Sequence, residues 1–221
     1  MRETEKLALY TTVYPGVEEY LADWYLSVRN QTDRDFDIWV GVDGLDPKAV
    51  EKAIGAKTSA IWVMADRNDS EAQVRQRPLE QIVKRYSGVV LADSDDVLEP
   101  TRVEASRKAL RDADVCGCAM RIIDAGGRDT GQVFCPPREV GIGELLSRGN
   151  VFGLSNTSYR SETLERCLPI PSECILVDWY LVTRALAHGA RFFFDRSCRM
   201  AYRPHQPRSY PSLLSGLRIL R

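Results

Sequence analysis

Within LADSDDVLEP, residues 91–100, three aspartates occupy four positions and Glu99 follows. They come directly after the apolar run Gly88-Val89-Val90-Leu91-Ala92, which reads as a buried strand. Carboxylates this close repel one another, and a desolvated carboxylate is costly unless a positive charge neutralises it. Water or a cation is therefore expected beside them. In an extended chain Asp93 and Asp95 fall on one side, roughly 6 to 7 Å apart along the strand axis. A hard divalent cation takes oxygen ligands and keeps waters and substrate phosphates in its shell, so one or two carboxylates suffice to hold it. The cluster reads as a metal-diphosphate site, with a second reading for Asp96 and Glu99: both suit the dipole of a helix that starts just after them.

Such a site needs elements that deliver its residues to one place. Leu7 to Thr12 is a short apolar run, Tyr14-Pro15-Gly16 a turn, and Val17, Tyr20, Leu21, Trp24, Tyr25 and Val28 recur at helical spacing. Phe36 to Val42 reads as a second strand ending at Asp43-Gly44, with Asp46-Pro47 as cap and first residue of a helix to Ile54. Ala60 to Met64 is a third strand, Ser70 to Arg85 a helix that Pro78 kinks or divides, and 88–92 a fourth strand. This alternation predicts an α/β domain with a mostly parallel sheet flanked by helices. In such a sheet ligands bind beyond the carboxyl ends of the strands, where Thr12, Asp43 and the Asp93 cluster all fall. The second half is less regular. Helices are expected over about 100–111 and 177–188, strands over 114–123 and 191–194, and a Gly/Pro-rich stretch over 125–143.

At 221 residues, with 44% hydrophobic and 28% charged side chains, the chain is expected to form a single domain over 1–221. A net charge of -1 argues against a nucleic-acid partner. No secretory leader is visible and no apolar run approaches the roughly 20 residues that span a bilayer, so a cytoplasmic chain is expected. The six cysteines are scattered and read as reduced structural thiols. In the tail, Leu213, Leu214, Leu217 and Leu220 stand at helical spacing beside arginines, which suits packing on the domain, a homodimer partner, or peripheral contact with the anionic inner face of a membrane.

Over nearly its whole length the chain resembles the family 2 glycosyltransferases of GT-A fold. Their opening pattern is met by TTVYPGVEEYLADWYLSVRNQTDRDFDIWVGVDG, with Gln31-Thr32 before Phe36-Asp37-Ile38 as the most characteristic piece. Their Asp-x-Asp motif is met by Asp93-Ser94-Asp95, extended by Asp96. The family arginine upstream falls on Arg77, followed here by Pro78 where Asn is usual. LVDWYLVTRALAHGARFFFD resembles the segment that carries the catalytic base, which falls on Asp178, with Val177 where an acid usually precedes it. YRPHQ resembles the closing Tyr-Arg-x-His motif, giving Tyr202, Arg203 and His205.

The resemblance implies a single Rossmann-like domain, with residues 1–98 binding the nucleotide-sugar and 99–221 the acceptor. It implies an inverting transfer from a nucleoside-diphospho-sugar, UDP before GDP, to a hydroxyl of a glycan, a lipid-linked or another acceptor. A divalent cation, Mn2+ or Mg2+, would be held by Asp95, Asp93 and His205 and would act as Lewis acid on the leaving diphosphate. Thr12, Tyr14, Asp43, Arg77, Asp93, Ser94 and Arg203 would bind the donor, and Asp178 would take the acceptor proton. A helix-capping role for Asp178 is compatible with that. Residues 150–160, NVFGLSNTSYR, are expected to face the acceptor.

Two other functions fit parts of the pattern. A non-catalytic sugar-nucleotide binder would account for Pro78 and Val177. A haloacid-dehalogenase-like phosphohydrolase also has an apolar strand ending in Asp-x-Asp, with the first aspartate as nucleophile. That motif opens such chains, however, whereas here it comes at residue 93.

Overall fold

The computed structural model describes residues 5–137 and 141–204. In chain order the elements are β1 (Leu7–Val13), α1 (Leu21–Arg29), β2 (Phe36–Val42), α2 (Pro47–Ile54), β3 (Ile61–Met64), α3 (Glu71–Arg85), β4 (Gly88–Leu91) and β5 (Val97–Leu98). They continue with α4 (Arg102–Ala109), β6 (Val115–Ile123), β7 (Asp129–Phe134), α5 (Ile142–Arg148), β8 (Thr157–Arg160), α6 (Ser161–Cys167), α7 (Val177–Ala187) and β9 (Phe192–Tyr202).

The strands described form one sheet in the order β3-β2-β1-β4-β8-β6-β9-β5, with β7 paired to β6. β1, β2, β3, β4, β6 and β9 run one way; β5, β7 and β8 run the other. The mostly parallel α/β architecture expected from the alternation is therefore present. Period-2 alternation along β1 sends Leu7 and Leu9 into one apolar layer with Trp24 of α1, Val50 of α2 and Val103 of α4. Ala8 and Tyr10 point into the other layer, with Leu79 and Ile82 of α3, Leu164 of α6 and Leu181 of α7. Helices thus cover both faces, as a parallel sheet requires.

Several boundaries move. Val17 is buried, but the helix begins only at Leu21, because residues 14–20 form turns in which Val17 N–H donates to Tyr14 O and Tyr20 N–H to Val17 O. Asp46 caps α2 as expected, its carboxylate accepting from Lys48 N–H at 2.8 Å. Helix α3 is neither ended nor divided by Pro78 and runs through it, started by a reciprocal Ser70–Gln73 capping box. The last strand is much longer than residues 191–194: it runs on to Tyr202, since β6 pairs with it throughout and β5 pairs with its end. β5, β7, α5, β8 and α6 are additions to the expected elements. Among the described residues no helix is long and apolar enough to cross a membrane.

Candidate active site at the carboxyl rim

β1 lies between β2 and β4, so the chain connections diverge to opposite sides there and leave a crevice above the strand ends. Register brings the ends together, Val13 beside Val42 and Tyr10 beside Leu91. Thr12, Asp43 and the acidic turn consequently share one rim. Asp43 N–H donates to Val13 O at 2.9 Å, and Ser94 Oγ donates to Thr12 O at 2.8 Å, tying the acidic turn to the end of β1. Tyr10 Oη and Thr12 Oγ1 are hydrogen-bonded at 2.9 Å, and Tyr14 is half-buried just beyond.

The aspartates are not on an extended strand, as the spacing suggested. Asp96 N–H donates to Asp93 O at 3.3 Å, closing a turn straight after β4. One carboxylate oxygen from each of Asp93, Asp95 and Asp96 then falls within 4.8 Å of the others. This also settles the alternative reading of Asp96. It is not at a helix start, because α4 begins at Arg102 and Glu99 is paired with Arg121 at 2.6 Å. Asp96 is instead fully buried, accepting from Arg203 N–H at 2.7 Å and from Ser155 Oγ.

Ser155 was not singled out by residue type, though it lies in the segment expected to face the acceptor. Its Oγ accepts from Asp93 N–H at 3.1 Å and lies 3.0 Å from Asp93 Oδ2, so it touches both flanks of the turn. Arg203 is buried behind the turn, away from the rim. Its Nε donates to Asp95 O at 2.8 Å, Nη1 to Ala125 O at 2.6 Å and Nη2 to Asp23 Oδ2 at 3.3 Å, and the guanidinium stacks over Tyr20. Through the Asp95 carbonyl it holds the acidic turn in place. His205 lies outside the described residues, as does the tail beyond it.

Burial and the neighbouring Asp95 push the Asp93 carboxyl up to about 7, against the opposing influence of Arg75 and Ser155. Asp96 is raised well above the carboxylate range for the same reasons. Burial, then Asp96 and the other carboxylates, also hold the Tyr202 phenol protonated. Three crowded carboxylates, of which Asp93 and Asp96 resist ionisation, are what a hard cation would relieve, so the donor set fits Mg2+ or Mn2+. Asp93, Asp95 and Asp96 are the residues that would hold it.

Asp178 stands in the first turn of α7, across from this turn and close enough for its charge to raise the Asp93 pKa. Burial raises its own carboxyl above the ordinary value, while Trp179 N–H at 2.7 Å, Asn150 and Arg75 pull the other way. It therefore accepts from Trp179 N–H while its charge still reaches Asp93. Asn150 in turn holds the 150–152 loop, bonding both Phe152 N–H and Phe152 O.

Arg77 is turned outward. Its Nη2 is 2.6 Å from Asp66 and 2.7 Å from Asp69, on the loop between β3 and α3. All six cysteines are free, and burial raises the Cys116 thiol to about 12, which keeps it protonated.

No protein-family model and no curated protein sequence matches the chain. Solved structures do. The chain is similar to S. aureus TarS 1-349 in complex with UDP-GlcNAc, with TM-score 0.70 and 16% identity over 96% of this chain and 61% of that one. The same TarS segment in complex with UDP gives 0.68 and 18%, over 90% and 60%. The mannosyltransferase PcManGT from Pyrobaculum calidifontis, in complex with GDP-Man and Mn2+, gives 0.64 and 14%, over 92% and 58%. This chain thus spans about three-fifths of the length of those chains. At such identities the likeness is one of architecture: the chain has the fold of these glycosyltransferases.

Proposed function

We propose that the chain is an inverting, metal-assisted glycosyltransferase of the family 2 type, moving a sugar from a nucleoside-diphospho-sugar, UDP before GDP, to an acceptor hydroxyl. One observation carries the reading: a turn gathers three carboxylates at the end of β4, within reach of the Asp178 charge, in a fold shared with solved glycosyltransferases. A divalent cation on Asp93, Asp95 and Asp96, with His205 as a further ligand, would neutralise charge developing on the diphosphate.

The chain's own residues have distinct tasks. Asp178 takes the proton of the acceptor hydroxyl, and its burial brings its basicity closer to that task. Thr12, Tyr14 and Asp43 line the part of the rim that receives the nucleoside, and Ser94 and Arg203 hold the acidic turn. Residues 1–98 supply most of the donor side, while 99–221 supply Asp178 and the acceptor side. Ser155 and Arg203, from the second half, support the acids of the first. The acceptor is a glycan, a lipid-linked or another hydroxyl compound, reached from the cytoplasm, with the basic tail available to a membrane surface or a second copy.

The donors in the solved neighbours, UDP-GlcNAc and GDP-Man, support this class of substrate. The test is thermal denaturation with UDP-GlcNAc, UDP and GDP-Man, each with and without Mn2+. A metal-dependent rise in Tm with at least one nucleotide is expected. Absence of any shift, or a shift that Asp95→Ala leaves intact, would defeat the proposal. Asp178→Asn separates enzyme from binder: donor binding should persist while transfer is lost.

A further inference from the structure

Arg102, the first residue of α4, is only 1% exposed, so its guanidinium is taken wholly out of water. Its surroundings are small and polar where a core is usually aliphatic. Ser106 comes from the next turn of α4, Ser158 from β8, and Cys116 and Cys118 from β6, with Cys116 opposite Ser158 in the ladder. All four are buried. Ser106 Oγ donates to Arg102 O at 2.9 Å and accepts from Arg102 Nη1 at 2.8 Å and from Ser158 Oγ at 3.0 Å. One donor and two acceptor sites are all that a hydroxyl has, so this serine is saturated. Arg102 Nε and Nη2, both buried, have no partner among the described residues.

A guanidinium cannot shed its proton in a protein, and an unpaired charge out of water is costly. The acids nearby are engaged elsewhere. Glu99 is paired with Arg121 at 2.6 Å, Glu104 accepts from Thr32 at 2.7 Å, and Asp195 is paired with Arg199 at 2.7 Å. The thiols do not supply a negative charge either. Burial raises Cys118 and takes Cys116 to about 12, against the opposing charge of Arg102, so both stay protonated. Nε–H and one Nη2–H form a single edge of the planar fork, and such an edge grips one anion with two hydrogen bonds. We infer that Arg102 holds a buried monovalent anion of chloride size between α4 and the sheet, a structural ion with no part in sugar transfer. Water would solvate this edge; only an anion also neutralises it. An ion that must fit wholly beneath α4 is small, and it would bind the helix to the β6 and β8 face through Arg102 and Ser106.

Thermal denaturation in sodium chloride and in sodium gluconate of equal ionic strength tests the assignment, since gluconate is too large for such a site. Wild type should melt at least about 2 °C higher in chloride, and Arg102→Met should melt at the same temperature in both salts. A wild-type crystal soaked in sodium bromide should show an anomalous peak against Arg102 Nε and Nη2, which decides the question if Arg102→Met does not fold. Equal melting of wild type in the two salts overturns the inference, and so does a chloride effect that persists in Arg102→Met. A crystal with water and no bromide at that edge overturns it as well.

Discussion

A serine hydroxyl can donate one hydrogen bond while accepting others, and Ser155 uses this to join the two flanks of the acidic turn. Groups that orient carboxylates in this way typically govern metal affinity by about 10- to 100-fold. Ser155→Ala should therefore weaken Mn2+ binding to that extent without unfolding the protein; an unchanged Mn2+ titration would show the hydroxyl to be incidental. At Asp178 the consequences concern rate, pH and stability together. Asp178→Asn should lower the transfer rate by about 10²- to 10⁴-fold, as loss of a general base does, with donor affinity retained. Burial raises its pKa, and only the carboxylate accepts a proton, so activity should fall with acid at a pH above the ordinary aspartate range. A pH–rate profile of kcat/KM flat down to about 4 would contradict this. The sign for stability is opposite: a carboxyl raised in the folded state favours folding below its unfolded pKa and loses that contribution as pH rises through the folded value. Asp178→Asn should accordingly melt higher than wild type at neutral pH, the gap closing in acid. Asp178 was legible only through a motif, since its type and a neighbouring apolar run do not distinguish a base from a cap. The structure gives it the Trp179 N–H as partner and brings its charge within reach of Asp93.

Helix α3 carries both Arg75 and Arg77, about 200° apart round its axis, so they meet different partners, Glu71 and the Asp66–Asp69 loop. Its start is built by side chains: Ser70 Oγ accepts from Gln73 N–H at 3.3 Å and Gln73 Oε1 accepts from Ser70 N–H at 2.9 Å. Ser70→Ala should cost about 1 kcal/mol, measurable by urea denaturation. The elements of the first half were readable because each strand is apolar and bounded by turn residues, with caps such as Asp46 at the expected places. Those of the second half were not. β8 carries Thr157 and Ser158, buried polar residues whose strand form depends on β4 and β6 on either side. β9 includes Asp195, Arg196 and Arg199, which no apolar alternation would assign to a strand, and it is held by long parallel pairing with β6.

At the scale of the molecule, Arg203 connects parts of the chain far apart in sequence: Asp23 in α1, the acidic turn and the 124–125 loop. Arg203→Ala would leave buried carbonyls without donors and should cost about 2–4 kcal/mol of stability as well as metal affinity. Denaturant unfolding of this variant, and of Arg203→Lys, checks it; a loss confined to donor binding would return Arg203 to the rim. By itself the sequence determined the α/β alternation, the sheet that follows from it, and the arrival of Thr12, Asp43 and Asp93 at one strand edge. These are consequences of local periodicity and turn chemistry, which act over a few residues. Only the tertiary structure decided that Asp96 joins the acids instead of starting a helix, that Ser155 clasps them, and that Arg203 stands behind them. Each depends on contacts across tens of residues of sequence, and those exist only once desolvation has made the buried Asp96 carboxylate and Arg203 guanidinium find partners.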